Sequence, residues 1–256
     1  MNKLSAYVIT YNEEKNIRAC LESIKWVDEI IVVDSYSTDN TVNQVKNYTN
    51  NIFFHKFENN LVKQRNFALS KTQFPWILTI DADETLSENA ESIVRKLINN
   101  EIIEGYWFPR RNYISKSTYL KHGLFYPDWQ LRLFKKKKNI YYGGPIHEKL
   151  DIPESKTVKT KGVEIIHNPS HTKYDSFLSL KKLFPYIIIE GNQLAKTEIP
   201  GLNLIFEGFI QFFKEFYYSF IKYRGFLDGY PGFRAAFIYA LYKGSIYYYA
   251  YYKRFI

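Results

Sequence analysis

The stretch WILTIDADET (residues 76–85) joins a short apolar run directly to two carboxylates, Asp81 and Asp83. A buried run of this length that ends in paired acids is typical of a parallel strand leaving a sheet, and α/β proteins place their ligands at such strand ends. A helix cap followed by a turn acid is the structural alternative, since a helical pattern begins soon afterwards. We favour a metal or phosphate site for the two acids.

The segments before this stretch alternate between strand and helix patterns. Strands are predicted for LSAYVIT (4–10), EIIVVDS (29–35), IFFHKF (52–57) and WILTI (76–80), and helices lie between them, the first of them capped by Asn12. The alternation predicts an α/β fold with a mostly parallel, doubly wound sheet flanked by helices. No GxGxxG sequence follows the first strand, which argues against the dinucleotide-binding fold of dehydrogenases.

The chain is expected to divide near residue 200. Residues 1–200 are predicted to form one domain, with a regular half over 1–100 and a loop-rich half over 101–200, and residues 201–256 a helical, aromatic appendage. Charged residues and tyrosines interrupt both apolar segments of this appendage, so neither is a convincing membrane span.

The composition points to an anionic partner. The formal net charge is +9, and 18% of the residues are aromatic, with 23 Tyr and 20 Phe. Residues 203–256 hold seven basic and three acidic residues, a net charge of +4. We expect this tail to lie on an anionic membrane surface; a helical pair packed on the sheet, or a dimer interface, is the alternative. The oligomeric state is not predicted.

Cysteine usage and the N-terminus indicate the compartment. Cys20 is the one cysteine of the sequence, which excludes an internal disulfide and fits a reducing environment. No basic and apolar signal segment precedes the first strand pattern. We therefore expect a cytoplasmic protein, peripheral to the inner face of the cytoplasmic membrane if the tail binds lipid.

Polar residues recur where the predicted strands end. Thr10 to Glu13 follow the first strand, Asp34 ends the second, and the helix before WILTI carries Arg65. Because the carboxyl ends of parallel strands meet at one edge of a sheet, these groups are expected to line one crevice with Asp81.

The polar motifs, taken in order, resemble those of a known family. Four segments are similar to the successive motifs of the inverting family-2 glycosyltransferases with a GT-A fold: YVITYNEEKNI (7–17), IIVVDSYSTDNT (30–41), KQRNFAL (63–69) and ILTIDADE (77–84). Four later segments resemble the subgroup that contains lipopolysaccharide-core glucosyltransferases of the WaaE type: DWQLRLF (128–134), GGPIHEKL (143–150), IIHNPSH (165–171) and YRGFLDGYPGF (223–233).

The resemblance implies an activity and its cofactor. A sugar, with glucose expected, would move from a UDP-sugar donor to a lipid-linked or lipopolysaccharide-core glycan acceptor. Mg²⁺ or Mn²⁺ would be held by Asp83, while Asp81 would contact the ribose or reach the metal through water. His167 ends the apolar stretch GVEII and is either a further metal ligand or a core or capping histidine.

The resemblance also implies the donor contacts. Residues 1–100 would hold the nucleotide-sugar, and residues 101–200 the acceptor and the catalytic groups. Asp34 would accept a hydrogen bond from uracil N3, and Arg65 would pair with the base or a phosphate. The complete set of nucleotide-sugar contacts is Thr10, Tyr11, Asn12, Glu13, Asp34, Arg65, Asp81 and Ala82.

An inverting transfer needs a general base that takes the proton of the acceptor hydroxyl. Glu148 is the first candidate, because a Gly-Gly pair precedes it and the family resemblance places an acid there, and Asp128 is the second. His147 is a candidate for orienting the acceptor or the base. A surface acid paired with a lysine is the alternative for Glu148.

Two other functions are compatible with parts of the sequence. One is a non-catalytic, basic membrane- or nucleic-acid-binding module on the same fold, although no recognisable nucleic-acid module is present and no nucleic acid is expected as a partner. The other is a phosphatase with a DxDxT nucleophile motif, since DADET (81–85) fits that pattern. In such phosphatases the motif usually closes the first strand rather than the fourth, and a later acidic pair is required, so we rank this reading lower.

Overall fold

The computed structural model describes residues 2–58, 60–114, 118–138, 140–143, 149–167 and 180–255. The chain divides into two units: Met1–Arg110 with Trp129–Asn168, called the first unit here, and Arg111–Asp128 with Pro169–Ile256, called the second unit. Residues 111–128 and 169–200 thus group with the C-terminal helices, whereas the sequence places them in the domain before residue 200. The assignment of separate functions to 1–100, 101–200 and 201–256 stays a prediction.

Strands and helices alternate through the first hundred residues. They are β1 (Leu4–Thr10), α1 (Ile17–Ile24), β2 (Glu29–Asp34), α2 (Thr41–Val45), β3 (Ile52–Phe54), α3 (Leu61–Lys71), β4 (Trp76–Asp81), β5 (Glu84–Leu86) and α4 (Ala90–Leu97). Short strands follow: β6 (Gly105–Asn112), β7 (Asp128–Lys135), β8 (Tyr142–Gly143), β9 (Lys149–Leu150), β10 (Thr157–Lys159) and β11 (Ile165–His167). The chain then continues into α5 (Leu180–Leu194), α6 (Gly201–Phe216) and α7 (Gly229–Phe255).

One sheet holds nine of these strands, and β8 and β9 pair with each other in a separate two-stranded sheet. Among the described residues the order of the larger sheet is β3-β2-β1-β4-β7-β6-β11-β5, with β10 beside β6. Strands β3, β2, β1 and β4 are mutually parallel, while β7 runs antiparallel to β4 and β11 antiparallel to β5. The predicted α/β fold, with a mostly parallel sheet flanked by helices and a helical aromatic C-terminal region, is confirmed.

Burial on both faces explains why the parallel strands are almost wholly apolar. Successive side chains of a strand point to opposite faces. Leu4, Ala6 and Val8 therefore join one buried cluster, which also holds residues of α1 and α4. Tyr7 joins the other cluster, which holds Ala68 and Leu69 of α3. The sheet is thus covered by helices on each side, as parallel sheets usually are.

The register of the parallel strands positions the site. Thr10 at the end of β1 lies opposite Asp34 at the end of β2. On the other side of β1, Ile9 lies opposite Asp81 at the end of β4. The polar ends of three neighbouring strands therefore meet at one edge, as the sequence predicts.

The first helix begins later than expected. Its N-cap is Asn16, and Asn12 lies four residues earlier, with φ of 54° in the left-handed region. Asparagine tolerates this conformation because its short side chain can bond to nearby backbone. The prediction that Asn12 caps the helix is wrong, because Asn12 serves the loop at the strand end instead.

Two glycines set the contact between α6 and α7 in the second unit. A Cβ atom added at Gly208 would lie 3.4 Å from the carbonyl oxygen of Gly244, and one added at Gly244 would lie 3.1 Å from the carbonyl oxygen of Gly208. The two helices can approach this closely only because neither residue has a side chain. Within the described part of the chain, no helix has the length and apolar character needed to cross a membrane.

Shortening a buried side chain of β4 should destabilise the protein. Ile77 is fully buried, whereas Ile102 is 77% exposed. We expect Ile77→Ala to lower the free energy of unfolding by about 2–5 kcal/mol, because it removes buried contacts and leaves a cavity. The same change at Ile102 should cost less than about 0.5 kcal/mol. Urea unfolding followed by circular dichroism measures both; equal costs would contradict the assigned core.

Candidate active site

A buried aspartate organises the loop after β2. Asp34 is fully buried, and its Oδ1 accepts a hydrogen bond from the Ser37 backbone N–H at 2.7 Å. Its Oδ2 accepts from the Ser37 hydroxyl at 2.5 Å. The carboxylate therefore fixes a tight turn at the strand end, since local bonds from Asp to nearby backbone favour turns.

Asn12 joins the β1 loop to the same turn. Its backbone N–H donates to the Ser37 hydroxyl oxygen at 2.8 Å, and its side-chain oxygen accepts from the Thr38 backbone N–H at 2.8 Å. Next to it, the Glu13 backbone N–H donates to the Thr41 hydroxyl oxygen at 2.8 Å. The two loops thus form one hydrogen-bonded wall of the crevice.

Polar and aromatic groups remain available at this wall. The buried Thr10 hydroxyl has no hydrogen-bond partner among the described residues. Tyr11 and Tyr36 are each 58% exposed, and Tyr36 has φ of 65°. The Tyr36 ring contacts the ring of Phe54, with 5.6 Å between centroids. An unpaired hydroxyl beside exposed rings is suited to a ligand that has both a flat ring and hydroxyl groups.

A buried ion network lies below the end of β4. The two oxygens of Asp81 accept from the guanidinium groups of Arg65 and Arg132, each at 2.8 Å. Arg132 also donates to Glu84 at 2.6 Å, and Arg110 donates to the same carboxylate at 3.1 Å. The Glu84 side chain is fully buried, so its charge depends on these partners.

The network keeps Asp81 and Arg132 ionised. Burial alone would raise the pKa of Asp81, but the charges of Arg132 and Arg65 outweigh burial and hold that pKa well below its usual range. Burial likewise opposes the charge of Arg132, yet Asp81 and Glu84 together raise the pKa of its guanidinium. An Asp81 held by two arginines is a poor nucleophile, which argues against the phosphatase alternative.

Asp83 and His167 form a separate pair. The Nε2 atom of His167 lies 3.1 Å from Oδ2 of Asp83, and the two side chains are 14% and 17% exposed. The pairing of β11 with β5 brings them together across 84 residues of sequence. Ala82, between the two aspartates, is buried.

The donor atoms of this pair fit a divalent cation that a substrate also binds. Carboxylate and imidazole are both common ligands of Mn²⁺, and Mg²⁺ is usually held by one or two carboxylates together with substrate phosphates. In the described parts of the chain, no three His, Cys, Asp or Glu side chains converge as a metal site. Asp83 and His167 would be two of the donors, with substrate phosphate and water as further ligands that such cations usually take.

Of the two candidate bases, only Asp128 lies in the described part of the chain. Glu148 and His147 fall within residues 144–148, outside the described residues. Asp128, at the start of β7, accepts a hydrogen bond from the Asn112 side-chain amide at 3.0 Å. Just before residues 144–148, the Tyr142 hydroxyl accepts from that of Tyr7 at 2.6 Å, and Asn66 bonds the backbone of Tyr142.

Sequence reasoning missed Glu84, Arg110 and Arg132. A signal was present for Arg132, which stands in the apolar run LRLF of β7, where a charge is expensive unless it is paired. Glu84 follows the two aspartates directly and reads as a third surface acid in the sequence. Its partners lie 26 and 48 residues away, so only the folded sheet identifies them.

Comparison with known proteins places the chain in a family. Residues 5–151 match the model of Glycosyl transferase family 2. This match covers more than half of the 256 residues, and the chain belongs to glycosyl transferase family 2. The predicted membership, and the predicted enzyme class at the level of the family, are confirmed.

Two individual relatives are similar to the chain over about two thirds of its length. The chain is 30% identical over 171 residues to the lipopolysaccharide core biosynthesis glycosyltransferase LpsC of Rhizobium meliloti, over 64% of this chain and 62% of LpsC. It is 31% identical over 179 residues to the SPbeta prophage-derived glycosyltransferase SunS of Bacillus subtilis, over 66% of this chain and 41% of SunS. The chain thus spans less than two thirds of the length of either relative.

A solved structure with a similar course of the chain is that of S. aureus TarS, residues 1–349. Its TM-score is 0.49 at 17% sequence identity, and the alignment covers 88% of this chain and 74% of the TarS chain.

Neutralising Arg132 should destabilise the first unit strongly. In Arg132→Gln, the ionic partners left among the described residues are Arg110 for Glu84 and Arg65 for Asp81. We expect a loss of about 3–5 kcal/mol in the free energy of unfolding at neutral pH, because buried carboxylates lose a charge that offset their desolvation. The matched control is Arg18→Gln, an exposed arginine of α1. Urea denaturation measures both, and a loss below about 1 kcal/mol for Arg132→Gln would argue against the network.

Proposed function

We propose that the protein is a metal-dependent inverting glycosyltransferase that moves a sugar, expected to be glucose, from a UDP-sugar to a lipid-linked or lipopolysaccharide-core glycan. The observation that carries the proposal is the meeting of Thr10, Asp34, Asp81 and Asp83 at neighbouring strand ends, with Asp83 paired to His167. Membership of glycosyl transferase family 2 supports the reaction class. The name of the relative LpsC supports a lipopolysaccharide-core acceptor.

The nucleoside would lie on the wall formed by the β1 and β2 loops. Thr10 to Glu13 would contact it, and the exposed rings of Tyr11 and Tyr36 offer faces on which a base can stack. Asp34 is fully covered, with both oxygens bonded to Ser37. Direct bonding of Asp34 to uracil N3 therefore requires the Ser37 turn to move, and otherwise Asp34 acts by shaping that turn.

The diphosphate would lie between the nucleoside wall and the Asp83–His167 pair. Asp83 and His167 would hold Mg²⁺ or Mn²⁺, which supplies neutralisation of the charge that develops on the departing diphosphate. Asp81 is held by Arg65 and Arg132, so it is less available as a direct ligand than Asp83. Its part would be to fix the strand end, with a ribose or water-mediated contact left for its remaining lone pairs.

The base would act on the acceptor hydroxyl. As that proton moves to the base carboxylate, the acceptor oxygen attacks the anomeric carbon, and the bond from this carbon to the UDP oxygen breaks. Glu148 is the proposed base and Asp128 the alternative. The hydrogen bonds of Tyr142 to Tyr7 and Asn66 hold the chain immediately before residues 144–148, which supports a fixed starting point for the segment that carries Glu148.

The metal role of Asp83 has a test that does not depend on turnover. Asp83→Ala should remove the dependence of UDP binding on Mn²⁺ in isothermal titration calorimetry, and should slow transfer at least about 100-fold, because several kcal/mol of leaving-group stabilisation are lost. Asp151→Ala, at an exposed carboxylate, is the control. Metal-dependent UDP binding that persists in Asp83→Ala would remove the proposed ligand.

The base assignment is separable from donor binding. Glu148→Gln should bind UDP with the affinity of the wild type and lose turnover by a factor of about 100 or more, the usual scale for a positioned base. Asp128→Asn is measured in parallel under the same conditions. If Asp128→Asn loses turnover and Glu148→Gln does not, the two roles are exchanged.

A further inference from the structure

Helix α6 carries a continuous apolar stripe on its surface. The stripe is defined by six side chains that are 43–80% exposed, and it is called the α6 stripe below: Leu202, Phe206, Phe209, Ile210, Phe213 and Tyr217. Most of them are spaced by three or four residues. Because an α-helix completes two turns in about seven residues, this spacing places them on one side of the helix. Isolated exposed apolar residues are ordinary, but a row of six on one helix is not.

The opposite side of α6 is already used. Leu204 and Gly208 are buried there, and Gly208 meets Gly244 of α7 at backbone distance. The rings of Phe212 and Phe216 each pack edge-to-face against that of Phe237 of α7. One face of α6 is therefore packed within the second unit. A second apolar face of the same helix is exposed to solvent.

The charges beside the stripe are mostly basic. Lys214, Lys222 and Arg224 are exposed at or beyond the C-terminal half of α6; the acids of the helix are Glu207, which is exposed, and Glu215, which is half-buried and accepts a hydrogen bond from the Gln211 amide. The Lys222 ammonium lies 4.4 Å from the ring centroid of Tyr218 and 5.8 Å from that of Tyr223. Basic groups over tyrosine rings combine a charge for phosphate with rings that favour a water–hydrocarbon boundary.

We propose that the α6 stripe is a membrane-contact surface, which lies in the headgroup layer of an anionic bilayer with its aromatic side chains inserted and its lysines on lipid phosphates. Amphipathic helices with Phe and Leu on one face and Lys or Arg beside it bind bilayers in this way, parallel to the surface. Basic residues near such a surface are attracted by the negative charge of its lipids. The inference does not rest on the sugar or acceptor proposed above.

A lipid surface fits this stripe better than a second copy of the chain. The whole sequence carries a net charge of +9, of which residues 203–256, the segment that holds the stripe, contribute +4. Like charges at an interface oppose association, whereas an anionic bilayer attracts them. Charge complementarity therefore selects the lipid.

The aromatic half of the proposal is tested with the full chain and vesicles. Binding to sedimented vesicles of phosphatidylcholine with 30–40% phosphatidylglycerol, on the order of a natural anionic share, is measured without donor or metal. We expect Phe206→Ser with Phe213→Ser to weaken binding at least about tenfold, because two inserted rings are lost. The matched control is Phe57→Ser with Ile102→Ser, two exposed apolar residues of the first unit, which should bind as the wild type does.

The role of the basic residues is tested with a second double variant and its matched control. Lys214→Gln with Lys222→Gln should weaken binding to the anionic vesicles about tenfold and reduce its dependence on salt. Lys46→Gln with Lys161→Gln removes the same charge from exposed sites of the first unit and should leave binding within about twofold of the wild type. Circular dichroism and UDP binding of each variant report folding, so that loss of vesicle binding is not confused with loss of structure.

Three results would overturn the proposal. One is equal binding of the wild type to neutral and anionic vesicles, and another is equal weakening by the stripe variants and their first-unit controls. The third is self-association of the wild type in sedimentation velocity that Phe206→Ser with Phe213→Ser abolishes, which would assign the stripe to a second copy of the chain. Loss of donor binding in the Asp83 variant would leave these outcomes unchanged, so the two proposals fail separately.

Discussion

The ion network of Asp81, Glu84, Arg65, Arg110 and Arg132 is the interaction on which the first unit depends. Glu84 is fully buried and Arg65 and Arg132 are nearly so, and these buried charges are tolerable only because the partly exposed Asp81 and Arg110 complete the network with them. Their side chains come from α3, β4, β5, β6 and β7. Bringing these five elements to one point fixes the end of β4, and with it the position of Asp83 beside His167.

The network also divides the labour between the two aspartates of the DADE segment. Asp81 is engaged by arginines, so its charge is already compensated inside the protein. Asp83 instead faces a histidine across the β5–β11 pairing, with its Oδ2 3.1 Å from Nε2 of His167, although Asp81 is the more exposed side chain of the two, at 26% against 17%. Two acids that look equivalent in sequence thus have different environments, one structural and one suited to a ligand. The same separation by environment lets paired carboxylates perform different tasks in other sites.

A second polar arrangement completes the crevice from the side of β1 and β2. Asp34 accepts a hydrogen bond from Ser37, and Asn12 is bonded to both Ser37 and Thr38. These hydrogen bonds tie together two loops from neighbouring strands. The positive φ values of Asn12 and Tyr36 carry a cost of conformational energy that these bonds offset. The second unit has an unpaired apolar surface instead. Helix α6 packs one face on α7 and leaves the α6 stripe exposed.

The sequence by itself determined the alternation of strands and helices in the first hundred residues and the polar strand ends at Thr10, Asp34 and Asp81. It could do so because periodicity and burial of parallel strands are local properties, readable within ten residues. It misplaced the start of α1, since Asn12 has the chemistry of a cap and bonds instead to Thr38, 26 residues away. The partners of Glu84 and of Asp83, and the exposed face of α6, were decided only by tertiary structure. Pairing of buried charges and exposure of a helix face depend on which distant elements meet, and that is set by sheet register and helix contacts rather than by neighbours in the chain.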